Sequence, residues 1–387
     1  MVETADVIVV GLGAAGAAAA WRLARKGLSV IGFDRHHPPH DRGSSHGGSR
    51  ITRQAIGEGD DYVPLALRSH ELWREIEAET GESLLLTTGA VVIGDPAEGA
   101  AHPGKEDFLL RTIAAARRFG IPHEVLTPAE TTRRYPQLTP RGDETVYFEP
   151  GAGLLFPERC VAAQIGLARR AGARIRLGEA VLTISDTASG VRVVTDQGDY
   201  EADQVVVAAG AWAGGLLGGP TAAKLSTWRQ QMHWFAPDDP AAFAPERFPV
   251  FIWMHGAATD DWFYGFTLLP GEPGVKVADE RFDAPLTGPV AHTLDVDPAA
   301  PLAMWTRHVP GRVAGVTDRP VKSAACLYTM APGSRFRIGR EPGRERVIVA
   351  SACSGHGFKH SAAVGDLVAE LATARETPDL LAPFALL

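Results

Sequence analysis

The stretch Asp6–Gly16, DVIVVGLGAAG, decides the fold. Its first five residues are mostly β-branched and suit a strand buried on both faces. Gly11, Gly13 and Gly16 follow, and AAAAWRLARKG then supplies strong helix formers. The first glycine permits a tight turn. The second lets a pyrophosphate approach the backbone, and the third lets helix and strand pack closely. Unsatisfied N–H groups and the positive end of the helix dipole then face the phosphates. A second strand, LSVIGFD, ends at Asp34, whose carboxylate can accept hydrogen bonds from the hydroxyls of an adenosine ribose. The glycines alone are a weak signal. Strand, glycines, helix, strand and acid in one compact unit predict dinucleotide binding, without separating FAD from NAD.

Beyond Asp34, HHPPHDRGSSHGGSR is a Gly/Ser/Pro loop. Its two prolines break any helical spacing of His36, His37 and His40, so it reads as solvated rather than as a metal site. YVPLALRSHELWREIEAET predicts an amphipathic helix with Leu65, Leu72 and Ile76 on one stripe. LLLTTGAVVIG predicts a strand, DPAEGAAHPGKED a turn-rich connection and DFLLRTIAAARRFG a helix. VAAQIGLARRAGARIRL suggests a helix feeding a strand; EAVLTISD and VRVVTDQGDYEADQVVVAAGAW suggest strands that return to the nucleotide sheet.

Residues 216–317 are richer in Pro, Trp and Phe, with strand-like runs WRQQMHWFAP, VFIWM, WFYGFTLL and VKVAD. They predict a mostly antiparallel sheet forming one wall of a pocket. Near the C-terminus, VIVASACSGHGFKHSAAVGDLVAELATAR reads as strand, glycine-rich turn and helix, a second anion-friendly helix start. The expected architecture is α/β: a Rossmann-like, glutathione-reductase-type domain with an inserted α+β substrate domain. The first comprises 1–85 with 150–215 and 318–387; the second comprises 86–149 with 216–317.

Composition narrows the partners. Of 387 residues, 38 are Lys or Arg and 46 Asp or Glu, a net charge of −8, which argues against a nucleic-acid partner. No apolar run approaches the ~18 residues of a membrane span, and MVETADVIVV does not read as a signal peptide. Three cysteines make no disulfide framework, and a reducing cytoplasm is the expected compartment. Cys160, in PERCVAAQ, and Cys353, in the turn before GHGFK, read as packing. Cys326, in SAACLYTM, also looks like a thiol in an ordinary buried strand.

Several motifs together resemble one family, the monomeric sarcosine oxidase and N-methyltryptophan oxidase group of FAD-dependent amine oxidases. They are DVIVVGLGAAG, GSSHGGSRITRQAIGEG followed by YVPLALRSHELW, GVKV, AACLYT and SGHGFK, in order over nearly the whole chain. The resemblance implies FAD as cofactor, tethered to the Cys326 sulfur through the ring methyl at C8. The thiolate would add to a flavin tautomer stabilised by Lys359 or by the helix start after GHGFK. It also implies that Gly11, Gly13, Gly16, Asp34, Ser44, His46, Arg50, Leu327, Gly355, Gly357, Phe358 and Lys359 surround the cofactor.

Taken alone, Arg50 and Arg53 read as surface ion-pair partners and Lys276 as a solvated lysine. By resemblance, Arg53 and Lys359 clamp a substrate carboxylate, with Arg50 nearer the flavin. Lys276 stands over the ring and speeds its oxidation by O2, because a fixed positive charge favours the first electron transfer. Tyr264 lies at the substrate pocket and His356 near the flavin. One departure stands out: four residues after the lysine, where sarcosine oxidases carry a histidine, this chain has Glu280. An acid there disfavours a small anionic amino acid and favours an extra cation or hydroxyl.

The implied reaction is oxidation of a secondary (N-methyl or cyclic) amino acid or related amine to an imine, with O2 reduced to H2O2, by a monomer. The alternatives are an amine dehydrogenase passing electrons to another acceptor and a flavin-holding subunit without turnover. The second glycine-rich turn argues against an NAD-dependent dehydrogenase.

Overall fold

The computed structural model describes residues 2–97, 107–287, 294–374 and 376–386; most of the turn-rich DPAEGAAHPGKED connection lies outside them. In the first sheet, strand Glu3–Val10 runs parallel to Val30–Asp34 on one side and to Asp199–Val207 on the other. Arg174–Leu177 and Arg344–Ser351 extend it, also in parallel. Val7 to Val10 are buried, as a central parallel strand covered on both faces demands. An antiparallel meander of Val181–Asp186 and Val191–Thr195 flanks Asp199–Val207.

The helix Ala14–Arg25 packs between the helices Ser361–Thr373 and Pro157–Arg170. Small residues make the close crossing possible: a Cβ on Gly365 would sit 2.3 Å from the Ala18 Cβ. The alanine run therefore serves packing as well as helix propensity.

The second sheet runs, in spatial order, Val316–Met330, Ser226–Pro237, Val275–Asp279, Trp262–Gly265, Val250–Met254, Ala90–Gly94, Thr145–Glu149 and Glu124–Leu126. It is antiparallel apart from the pairing of Val250–Met254 with Ala90–Gly94. Two expectations change here. Strand Val316–Met330 pairs with Ser226–Pro237 along most of its length, Cys326 opposite Gln230, so residues up to Met330 belong to this sheet and not to the nucleotide sheet. The run LLLTTGAVVIG is two strands: Gly89, at φ +72°, turns the chain between Leu85–Thr87 and Ala90–Gly94. Leu85–Thr87 joins Gly153–Leu155 and Arg50–Thr52 in a small third sheet. No helix among the described residues is long and apolar enough to cross a membrane.

Candidate active site

One cavity is bordered both by the first glycine turn and by side chains of the second sheet. Gly11 sits at φ +88°, and a Cβ there would lie 2.7 Å from the Ala208 carbonyl oxygen. A Cβ on Gly16 would lie 1.8 Å from the Gly11 oxygen, so only glycine lets the helix start this close to the strand. At Gly13 the nearest atom to such a Cβ is Ser45 Oγ at 3.5 Å, which leaves the backbone open toward the cavity. Asp34 Oδ2 accepts from the Leu12 amide and Oδ1 from the His36 amide, each at 2.8 Å. Burial pushes this carboxyl up, but hydrogen bonds from His40, Leu12 and His36 outweigh it and hold the group below its ordinary value. It stays an ionised acceptor, with lone pairs left for ribose hydroxyls.

The second turn, Ala352–Gly357, leaves a strand two places along the same sheet and borders the same cavity. Gly355 has φ +80°, and a Cβ on Gly357 would fall 1.6 Å from the Ala352 oxygen. Two backbone cradles that side chains would fill fit an elongated dinucleotide. Phe358 also lines the cavity and stacks, rings parallel, on Trp73.

The glycine-serine loop is fastened between the sheets. Ser44 Oγ donates to the Leu327 carbonyl, and the Leu327 amide donates to Gly43 O at 3.2 Å. Glu158, unnoticed in the sequence, accepts from the amides of Gly47 and Gly48. Arg50 donates to Ser44 O at 2.7 Å. Lys276 Nζ donates to Gly47 O at 2.9 Å and Ser49 O at 2.8 Å, with the Phe266 ring 3.9 Å away. Lys276 is therefore buried at the cavity, not solvated. Burial, with Arg50 beside it, lowers its proton affinity well below the usual lysine value. His46, within this loop, is buried away from the cavity wall; burial and then the Arg50 charge push it down to about 4.

Cys326 is buried among Met232, Trp234, Ala278 and Tyr328. Burial raises its thiol to about 11, against the pull of Arg50 and Lys276. Cys326 and Leu327 lie behind the cavity wall, whereas Cys353, read from the sequence as packing, lines it. The Thr329 amide points at Cys353 Sγ from 3.4 Å.

Arg53 and Lys359 both line the cavity, and Glu58, which the sequence reading missed, lies with them. Arg53 donates to Glu58 Oε2 at 2.7 Å and to Ala55 O at 2.7 Å. Lys359 is 3.8 Å from Glu58 Oε1 and donates to His356 O at 2.7 Å. Buried Glu149 holds this loop by accepting from the Gln54 amide at 2.7 Å, the Ala55 amide at 3.1 Å and Tyr147 Oη at 2.8 Å. Glu58 follows Arg53 at a spacing of no regular period, so only its place in the folded loop reveals it.

On the second sheet, Tyr264 and Glu280 line the cavity together with Tyr328, whose hydroxyl is 3.4 Å from Glu280 Oε1. Burial, then the Glu280 charge, raises the Tyr264 phenol far above its ordinary value, so it remains a neutral donor. His356 lines the cavity, stacks on Phe336 and places Nε2 3.1 Å from Ser334 O.

Fold and cradles define a dinucleotide-dependent oxidoreductase. The family described as DAO, FAD dependent oxidoreductase, matches residues 6–371, and the chain belongs to it; FAD is the dinucleotide. Monomeric sarcosine oxidase from Streptomyces avermitilis is 38% identical over 379 residues, covering 96% of this chain and 94% of that one. N-methyl-L-tryptophan oxidase from Yersinia pestis is 33% identical over 386 residues, covering 98% of each chain. Among solved structures, NikD, an amino acid oxidase essential for nikkomycin biosynthesis, superimposes with a TM-score of 0.84 at 27% identity, over 99% of this chain and 97% of that one. Glycine oxidase from Geobacillus kaustophilus shares the fold, with a TM-score of 0.77 at 24% identity over 100% and 99% of the two chains.

Proposed function

We propose that this protein oxidises a secondary amine bearing a carboxylate to an imine, with O2 as electron acceptor. The observation that carries the reading is the shared cavity: Arg53, Lys276 and Lys359 border the same space as the Gly11–Gly13 cradle. FAD, held by the Gly11–Gly13 and Gly355–Gly357 cradles and Asp34, would supply a two-electron acceptor for the C–H beside the amine nitrogen, the electrons then going to O2 to give H2O2. Arg53 and Lys359 hold the substrate carboxylate, since a guanidinium fork and an ammonium suit it in a dry site. The amine must be neutral to react, and the Arg50, Arg53 and Lys359 cations disfavour its ammonium form. Lys276 in its protonated form, which the Gly47 and Ser49 carbonyls favour against burial and Arg50, provides positive charge where negative charge develops on O2. The imine leaves for water and hydrolyses; an N-methyl substrate yields formaldehyde and the primary amine.

Cys326 is the proposed flavin tether, on the likeness to the sarcosine oxidases and on its place in one cluster with Met232 and Tyr328, which both line the cavity. We assign the working state as a monomer acting on a small molecule. A panel of secondary amines tests the reading: peroxide release with flavin bleaching in anaerobic mixing is expected. Bleaching without peroxide would move the protein to the dehydrogenases, and no bleaching by any amine would overturn the reading.

A further inference from the structure

Strand Val275–Asp279 alternates cleanly. Val275 and Val277 enter the core of the second sheet, and Asp279 turns back to His308, 3.5 Å away. Lys276 and Glu280 border the cavity. Glu280 is only 5% exposed, so its carboxylate faces the cavity rather than bulk water. A buried carboxylate is tolerated where donors meet it. The Tyr328 hydroxyl, itself on the cavity wall, lies 3.4 Å from Glu280 Oε1. Gly355 leaves space beside it: a Cβ there would come within 3.6 Å of Glu280 Oε1 and 3.2 Å of the Tyr328 ring. Gly355 lies in the turn Ala352–Gly357, four residues before Lys359, so an acid and a cation stand on neighbouring parts of one wall.

The charge pattern has a chemical consequence. Glu58 offsets part of the charge of Arg53 and Lys359, leaving a net cation for one incoming carboxylate. Glu280 acts in the opposite sense, because a carboxylate near the amine favours the unreactive ammonium form. A substrate donor that occupies Glu280 removes this conflict. We propose that the substrate carries, besides its secondary amine and carboxylate, a further hydrogen-bond donor, a hydroxyl or a cationic group, that Glu280 receives. The inference rests on the amine-oxidase reading above and narrows its substrate class.

The test compares N-methyl amino acids of matched length with three side-chain ends: a methyl (N-methyl-2-aminoheptanoate), a hydroxyl (N-methyl-6-hydroxynorleucine) and an ammonium (α-N-methyllysine). The holoenzyme should favour at least one donor-bearing arm over the methyl arm by about 10- to 100-fold in kcat/KM, the range for a hydrogen bond to a charged group. The arm that wins identifies the donor. In Glu280→Leu the ratio should fall toward one. Calorimetric binding of the matching N,N-dimethyl acids to the wild-type holoenzyme should show the same order, independently of turnover and of how the variant folds. A wild-type preference for the methyl arm, or an unchanged ratio in Glu280→Leu, would overturn the proposal. If no arm reduces the flavin while another amine of the panel does, the donor proposal fails and the amine-oxidase reading stands; if no amine of the panel reduces it, that reading itself fails.

Discussion

The Arg53 guanidinium and the Glu58 carboxylate form a buried pair at 2.7 Å on the wall of the cavity. Either charge alone would be costly there, yet a substrate acid must also be held by Arg53 in the proposed reaction. The pair thus has a structural and a ligand-binding side, and mutation can separate them.

Arg53→Met should cost up to about 3 kcal/mol of stability, because the buried Glu58 carboxylate loses its 2.7 Å partner and keeps Lys359 at 3.8 Å. Arg53→Met combined with Glu58→Leu should recover most of that stability in thermal melts. It should not recover kcat/KM for a carboxylate-bearing amine, expected to fall at least ~100-fold in both variants. Recovery of activity in the double variant would remove Arg53 from substrate binding.

Lys276 donates to two backbone oxygens of the glycine loop and borders the cavity. Lys276→Met should slow reoxidation of the reduced protein by O2 about 10²- to 10³-fold, as loss of a placed charge does. Flavin reduction by the amine should change far less. Stopped-flow measurement of the two half-reactions separates the effects; equal slowing of both would assign Lys276 to general structure.

The thiols of Cys326 and Cys353 flank one region, the first behind the cavity wall and the second on it. Acid precipitation should leave the wild-type pellet yellow and the Cys326→Ser pellet colourless, with flavin in the supernatant. Cys353→Ser should keep a yellow pellet. The reverse pattern would transfer the tether to Cys353.

Burial, the largest cause in each case, pushes His46, His70, His233 and His255 down to about 4. An unfolded histidine titrates near 6.5. Between those values the unfolded chain binds protons that the folded chain refuses, so stability is full above about 6.5 and falls as pH drops toward 4. The melting temperature should decrease steadily from pH 7 to pH 5. A flat profile would contradict neutral burial of these rings.

Much of the nucleotide half was legible because its signals are contiguous. Strand, glycines, helix and Asp34 lie within one short unit, and Gly16 is required by the Gly11 carbonyl five residues before it. Lys276 and Glu280 came to the site through the family resemblance, since a lysine in GVKV taken alone read as solvated. Glu58, Glu149 and Glu158 were not legible: they act on loops through contacts with no sequence period, and a lone acid otherwise reads as solvated. The break at Gly89 was hidden because apolar strand propensity continues on both sides of it.

The sequence by itself determined the cradle, the two-sheet composition and the family, since those depend on local backbone geometry and on motifs in order. Tertiary structure alone decided that the Cys326 strand joins the second sheet, that Cys353 reaches the cavity, and that Arg53 meets Glu58 inside it. Such placements come from pairings between distant segments, where burial turns a charge that would be solvated in the open chain into one that must find a partner.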